Sequence, residues 1–165
     1  MEPAEAVASV EKNKVFKDWQ KEHKSCFLSY IFTIIERGED APWLIGYYNQ
    51  KEDSIASFEI TGEKVTLKPE EKAFKEPEAK VYELELKKVK VKVDEVLDIV
   101  DKLQKEKYRA EVPVKVIVIL QHLEKLGDVW NITYVSRTFK TLNVKVDAGT
   151  GKVVAEHLDS LFEFK

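Results

Sequence analysis

Val129-Trp130-Asn131-Ile132-Thr133-Tyr134 is the stretch whose reading decides the fold. Side chains of an extended chain alternate between two faces, so Trp130, Ile132 and Tyr134 share one face of a strand. Trp43, Ile45 and Tyr47 stand 87 residues earlier in the same spacing. The same shift lays Phe27–Ile35 on Val114–His122 and Ile60-Thr61-Gly62 on Asp147-Ala148-Gly149. Agreement between strand order and a glycine turn points to an internal duplication.

Working outward, each copy of the motif is preceded by a helical signal. Pro3 opens the first, with Glu2 and Glu5 near the positive end of the helix. Val7 and Val10 keep helical spacing, Asn13 interrupts, and Val15, Phe16 and Trp19 resume the stripe, which predicts a broken helix ending near His23. Asp94 is a good N-cap for the second, where Val96, Leu97, Val100 and Leu103 follow and lysines collect toward the C-terminal end before Pro113. Strand-like runs follow each helix: Phe27–Glu36, Trp43–Asn49 and Ile55–Leu67, then Val114–Leu123, Val129–Ser136 and Phe139–Val154. Lys88-Val89-Lys90-Val91-Lys92-Val93 predicts a further strand over Val81–Val93. Pro69 to Pro77 is polar and charged and reads as a linker. The fold class predicted is α+β: two tandem helix-plus-antiparallel-sheet units related by internal duplication, residues 1–68 and 81–165, joined by a linker over 69–80.

The second unit carries Val129 to Tyr134 and then the turn Val146-Asp147-Ala148-Gly149-Thr150-Gly151-Lys152-Val153. An aromatic strand followed by an Asp-x-x-Thr-Gly-x-Val hairpin resembles the PepSY-type domain, a helix on an antiparallel sheet with a cystatin-like look. Trp43 to Tyr48 matches in the first unit, but Ile60-Thr61-Gly62-Glu63-Lys64-Val65 lacks the Asp and two turn residues. The resemblance spans most of 3–68 and 93–158. It implies a non-enzymatic binding or inhibitory module, peptide-binding or peptidase-modulating, with no catalytic residues to carry over.

Composition narrows the classes. The 165 residues are 44% hydrophobic and 35% charged, which excludes a disordered or collagen-like chain. With 27 basic against 30 acidic side chains and a net charge of −3, no bulk field recruits nucleic acid or an anionic membrane. The start, MEPAEAVASVEKNK, lacks the basic and apolar character of a leader, and no apolar run reaches the roughly 20 residues of a membrane span. The expected location is therefore cytoplasmic, which also makes the Asn131-Ile132-Thr133 sequon inert. A lone Cys26 excludes a disulfide framework and reads as an inert thiol, although His23 is three residues away. His23, His122 and His157 fall on different elements, so neither metal nor cofactor is expected. Asp147–Lys152 fails the phosphate-loop pattern, since Val146 stands where its first Gly belongs and Val153 where Ser or Thr would follow.

The aromatic residues are the strongest remaining feature. Trp43, Tyr47, Trp130 and Tyr134 are predicted core, whereas Tyr48 and Phe139 fall outside that pattern and are the candidate contact residues for a protein or extended peptide. The alternative function is a small-molecule carrier or enzyme with a pocket between helix and sheet. The first strand of each unit is apolar on both faces, with Ile31, Ile35, Ile117 and Ile119 opposite the main stripe. The expected cover is face-to-face packing of the two sheets within a monomer.

Overall fold

The computed structural model describes residues 1–37, 39–72 and 80–160. Of the linker expected over 69–80, residues 73–79 lie outside the described residues, as do 161–165 of the expected second unit. Helix α1 (Pro3–Lys12) and helix α2 (Lys14–Gln20) meet at Asn13. The Asn13 amide closes α1 on the Val10 carbonyl, while its side chain accepts the Val15 N–H at 2.9 Å. One residue thus caps two helices, the second of them at its N-terminus. Helix α3 (Val93–Lys107) begins a residue before the predicted Asp94 cap. The Val93 N–H donates to the Glu2 carboxylate at 3.3 Å, so the N-cap residue of α1 also serves α3.

The strands form one continuous antiparallel sheet, not two units. In chain order they are β1 (Phe27–Glu36), β2 (Glu39–Asp40), β3 (Trp43–Asn49), β4 (Ser54–Thr61), β5 (Lys64–Leu67), β6 (Glu71–Lys72), β7 (Pro113–Leu123), β8 (Gly127–Ser136), β9 (Lys140–Asp147) and β10 (Val153–Ser160). Their spatial order is β10-β9-β8-β7-β1-β3-β4-β5, with β2 added to β1 and β6 to β4. At its centre β1 pairs with β7, and Phe32 stands opposite Ile119. The tandem helix-plus-sheet architecture related by duplication is therefore corrected: the molecule is predominantly one antiparallel sheet carrying three short helices. The shift of 87 relates strand positions within that sheet, since Ile31 opposes Ile45 on β3 as Val118 opposes Ile132 on β8.

Backbone hydrogen bonding explains the difference. Two separate sheets would each expose a long apolar edge at their first strand, and an unpaired edge seeks a partner. β1 and β7 are each other's partner, which satisfies both edges at once. The predicted face-to-face packing is thereby also corrected, because the sheets join edge to edge. Val81–Val93 forms no strand either: Leu86–Lys88 is a short 3-10 turn, and the Lys90 and Val91 amides both donate to the Ala148 carbonyl. Its alternation reflects burial of Leu84 and Val91 beneath the second half.

All three helices cover the same sheet face. Val7 and Val10 of α1, Phe16 of α2, and Val96 and Val100 of α3 pack on Ile31, Ile45, Phe58, Leu120, Ile132 and Val144. Tyrosines tie helix to sheet on both sides of the centre. The Tyr47 hydroxyl donates to Glu11 of α1 at 3.0 Å, and the Tyr134 hydroxyl donates to Asp101 of α3. Burial and the adjoining carboxylate push both phenols well above the ordinary tyrosine range. Trp130 is fully buried, and its indole N–H donates to the Val91 carbonyl at 3.0 Å.

Candidate functional site

Register places every second residue of the central strands on the face away from the helices. There Phe32 opposes both Leu44 and Ile119, and Ile34 opposes Ile117. These side chains are only half-buried. Tyr30 lies across Gly46, where a Cβ would stand 2.1 Å from Tyr30 Cε1. Glycine is thus required at 46 for the Tyr30 ring to lie flat on the sheet, by close approach and not by a special φ. β1 carries a bulge between Leu28 and Tyr30, and both Ser29 and Tyr30 border the hollow beside it.

That hollow is a cavity of about 490 Å³ on the open face. Its floor is Phe32, Leu44, Ile55 and Ile119. One wall comes from β6 and from Lys80–Tyr82, beyond which the chain rounds the end of β1 and bonds the Leu84 amide to the Leu28 carbonyl at 2.9 Å. Another wall carries Gln121, His122 and Leu123 of β7. The His122 ring reaches Asp128 at 2.8 Å and lies 5.5 Å from the Tyr82 ring. Burial first, and then Glu124 by charge and hydrogen bond, raises the Tyr82 phenol above its ordinary value.

Beyond Gln121 the open face turns polar. The Asn131 amide donates to Gln121 Oε1 at 3.0 Å, Asn143 donates to Asn131 Oδ1 at 2.6 Å and to Thr133 Oγ1 at 2.9 Å, and Lys145 donates to Asn143 Oδ1 at 2.6 Å. The ladder spans β7, β8 and β9 and leaves that half of the face hydrogen-bonded to itself.

Neither predicted contact residue lines the cavity. Tyr48 is 6% exposed, its hydroxyl bonded to Asp53 and its ring edge-on to Phe27 at 5.5 Å. Burial and then Asp53 push its phenol up to about 12. Phe139 is 58% exposed in the β8–β9 turn at φ 61°, a left-handed conformation that bulky residues seldom adopt. Cys26 and His23 meet through backbone only: the His23 ring stacks on Trp19 at 4.7 Å and its Nδ1 faces the Trp19 carbonyl. Burial, with Glu70 and Glu52, pushes the Cys26 thiol up, away from the thiolate a nucleophile needs. Asp147 accepts the Gly149 and Thr150 amides at 2.9 and 2.8 Å, the hydrogen bonding of a hairpin turn. Among the described residues no three His, Cys, Asp or Glu side chains gather as metal ligands, and no helix is long and apolar enough to cross a membrane.

A second hollow, about 660 Å³, does lie between helix and sheet, with Leu97 and Asp101 of α3 facing Val116 and Tyr134. Asp101 is committed there to the Tyr134 hydroxyl. The open-face cavity escaped sequence reading because its walls are 50 to 90 residues apart in the chain. The usable signal was local: apolar residues on both faces of β1, and a glycine inside an otherwise aromatic strand.

No protein-family model matches the chain, and no curated protein matches it. Among solved structures, the fold is similar to the crystal structure of a putative lipoprotein from Clostridium difficile 630, with a TM-score of 0.56. The alignment covers 88% of this chain and 90% of that one at 12% sequence identity, so the likeness is one of fold.

Proposed function

We propose that the protein is a non-catalytic binding module that takes an apolar ligand into the cavity on its open sheet face. The observation that carries this is the cavity itself: about 490 Å³ with an aliphatic and aromatic floor supplied by four strands. Ligand sites are concave, largely apolar, and edged by a few polar groups, within roughly 300–1,000 Å³. Phe32, Leu44 and Ile119 stay half wet without a ligand, and full burial of such a side chain is worth about 1.5–3 kcal/mol. The PepSY-like turn and aromatic strand support the binding class without naming a ligand.

Titration with an environment-sensitive apolar fluorophore tests the reading. Saturable binding is expected in the unmodified protein and in Ile117→Glu, which lies on the open face outside the cavity lining, and is expected to vanish in Ile119→Glu. Circular dichroism verifies that both variants fold. Equal binding by the two, or none by the parent, rejects the site. A second reading, an extended peptide added to the sheet edge, is favoured by β10, which among the described residues pairs with β9 alone. Ligand-dependent protection of β10 amides in hydrogen exchange would select that reading, because a molecule in the cavity shields none of them.

A further inference from the structure

The cavity has charge at its rim as well as apolar surface on its floor. Lys72 and Lys80 both border it, and neither makes an ion pair among the described residues. Glu71 is the acidic side chain on the same rim. His122 is engaged with Asp128, and Tyr82 with Glu124. Gln121 accepts from Asn131 through its Oε1. The rim therefore holds two ammonium groups against one carboxylate, a surplus of one positive charge beside a hydrocarbon floor.

We propose that the cavity is a site for a long-chain monocarboxylate of the fatty-acid class. This rests on the reading of the cavity as a ligand site. The alkyl chain lies over Phe32, Leu44, Ile55 and Ile119, and the carboxylate meets Lys72 and Lys80. The charge surplus is what selects the head group. A neutral apolar molecule would leave both ammonium groups without a counter-ion, and a cationic one would meet two lysines for one glutamate. A dianionic phosphate would bring one charge more than the rim compensates. Ammonium groups serve this role well, as compact donors on flexible stems that keep their charge at the water boundary while their methylenes extend the apolar wall.

The chain and the head group make separable contributions. Each methylene added to the ligand should tighten binding about fourfold until the floor is covered, because burying one CH₂ is worth about 0.8 kcal/mol. The head group should add about a tenfold preference for acid over alcohol, the size of one charge-assisted contact at a partly desolvated rim.

Isothermal titration with decanoate, dodecanoate and dodecanol, below their aggregation concentrations, tests both parts. The expected result is one site per chain, tighter for dodecanoate than for decanoate, with dodecanol about tenfold weaker than dodecanoate. In Lys72→Gln/Lys80→Gln the acid should fall to the alcohol's affinity while the alcohol is unchanged. These lysines are exposed, so the double variant should keep the parent's thermal unfolding. Equal binding of acid and alcohol, with no effect of the double variant, overturns the fatty-acid assignment and leaves the apolar site standing. Binding of neither compound, together with no fluorophore binding, overturns both. Non-saturating uptake of many molecules per chain also overturns the assignment, since it reports adsorption on apolar surface.

Discussion

The two halves of the sheet meet at β1 and β7 in matched register, yet their open faces have opposite chemistry. On the first-half side Phe32 opposes Leu44, and Tyr30 lies over Gly46 beside Ser57. At the positions 87 residues on, Ile119 opposes Asn131, and Ile117 opposes Thr133 beside Asn143. Leucine and glycine in one half correspond to asparagine and threonine in the other. The first half is hollow and apolar, while the second is closed by its own hydrogen-bond ladder. On the helix face the halves agree, with Ile45 and Ile132, and Tyr47 and Tyr134, all buried. Shared register under the helices is what the core demands; the open face is free to diverge, and that freedom is where a binding site can arise.

The helix-face likeness has one asymmetry, and it carries the largest expected effect. Trp130 is fully buried and hydrogen-bonded to Val91, whereas Trp43 is only half-buried. Trp130→Ala should cost about 3–5 kcal/mol, the range of a large buried aromatic truncated to a methyl. Trp43→Ala should cost about 1–2 kcal/mol, because much of that ring is already in water. Urea unfolding of both variants measures the difference. Equal losses would break the contrast and place the stability of the two halves on the same footing.

Gly46→Ala sharpens the open-face contrast. The new methyl would overlap the Tyr30 ring, so the ring must swing off the sheet. The expected cost is about 1–3 kcal/mol, as for other overpacked sites. Because Tyr30 lines the cavity, fluorophore binding should weaken in the same variant. The corresponding change in the second half, Thr133→Ala, removes one acceptor from Asn143 and should cost about 1 kcal/mol while binding is retained. Retained binding in Gly46→Ala would show that the ring does not shape the site.

Legibility in the sequence followed the range of the interactions. The hinge at Asn13, the hairpin turn at Asp147 and the core role of Trp130 and Tyr134 are set by residues within a few positions or by alternation, and they could be read directly. The joining of the halves could not, because an apolar stripe says that a face is covered and not by what. Ile117 and Ile119 advertise a need for cover that edge pairing of β1 and β7 does not meet, and the cavity lies where it goes unmet. Lys88–Val93 misled for a related reason: its alternation is that of a strand, but its amides are taken up by a single carbonyl, Ala148. Tyr48 was singled out because it broke the core pattern; it is instead closed off by Asp53 and Phe27.

The smallest expected effect concerns acid. Among the described residues the carboxylates held below their ordinary range are Glu111, Asp147 and Glu156, all in the second half. The Thr138 hydroxyl, with Ser136 and Lys140, holds Glu111 low against its burial; the Thr150 and Gly149 amides hold Asp147; the Tyr108 phenol and Lys107 hold Glu156. A carboxyl whose folded pKa lies below its unfolded value stabilises the fold above the unfolded value and loses that contribution as pH falls through the folded one. Below about pH 4, where unfolded carboxylates take up protons, β8 and β9 amides should therefore lose exchange protection before those of β3 and β4. Glu111→Gln should reduce this acid sensitivity, because the amide stays neutral throughout while it can still accept from Ser136. Hydrogen exchange across a pH series, corrected for intrinsic rates, gives the order of loss. Loss beginning in β3 and β4, or an unchanged acid response in Glu111→Gln, would show that the polar half is no more acid-labile than the hollow one.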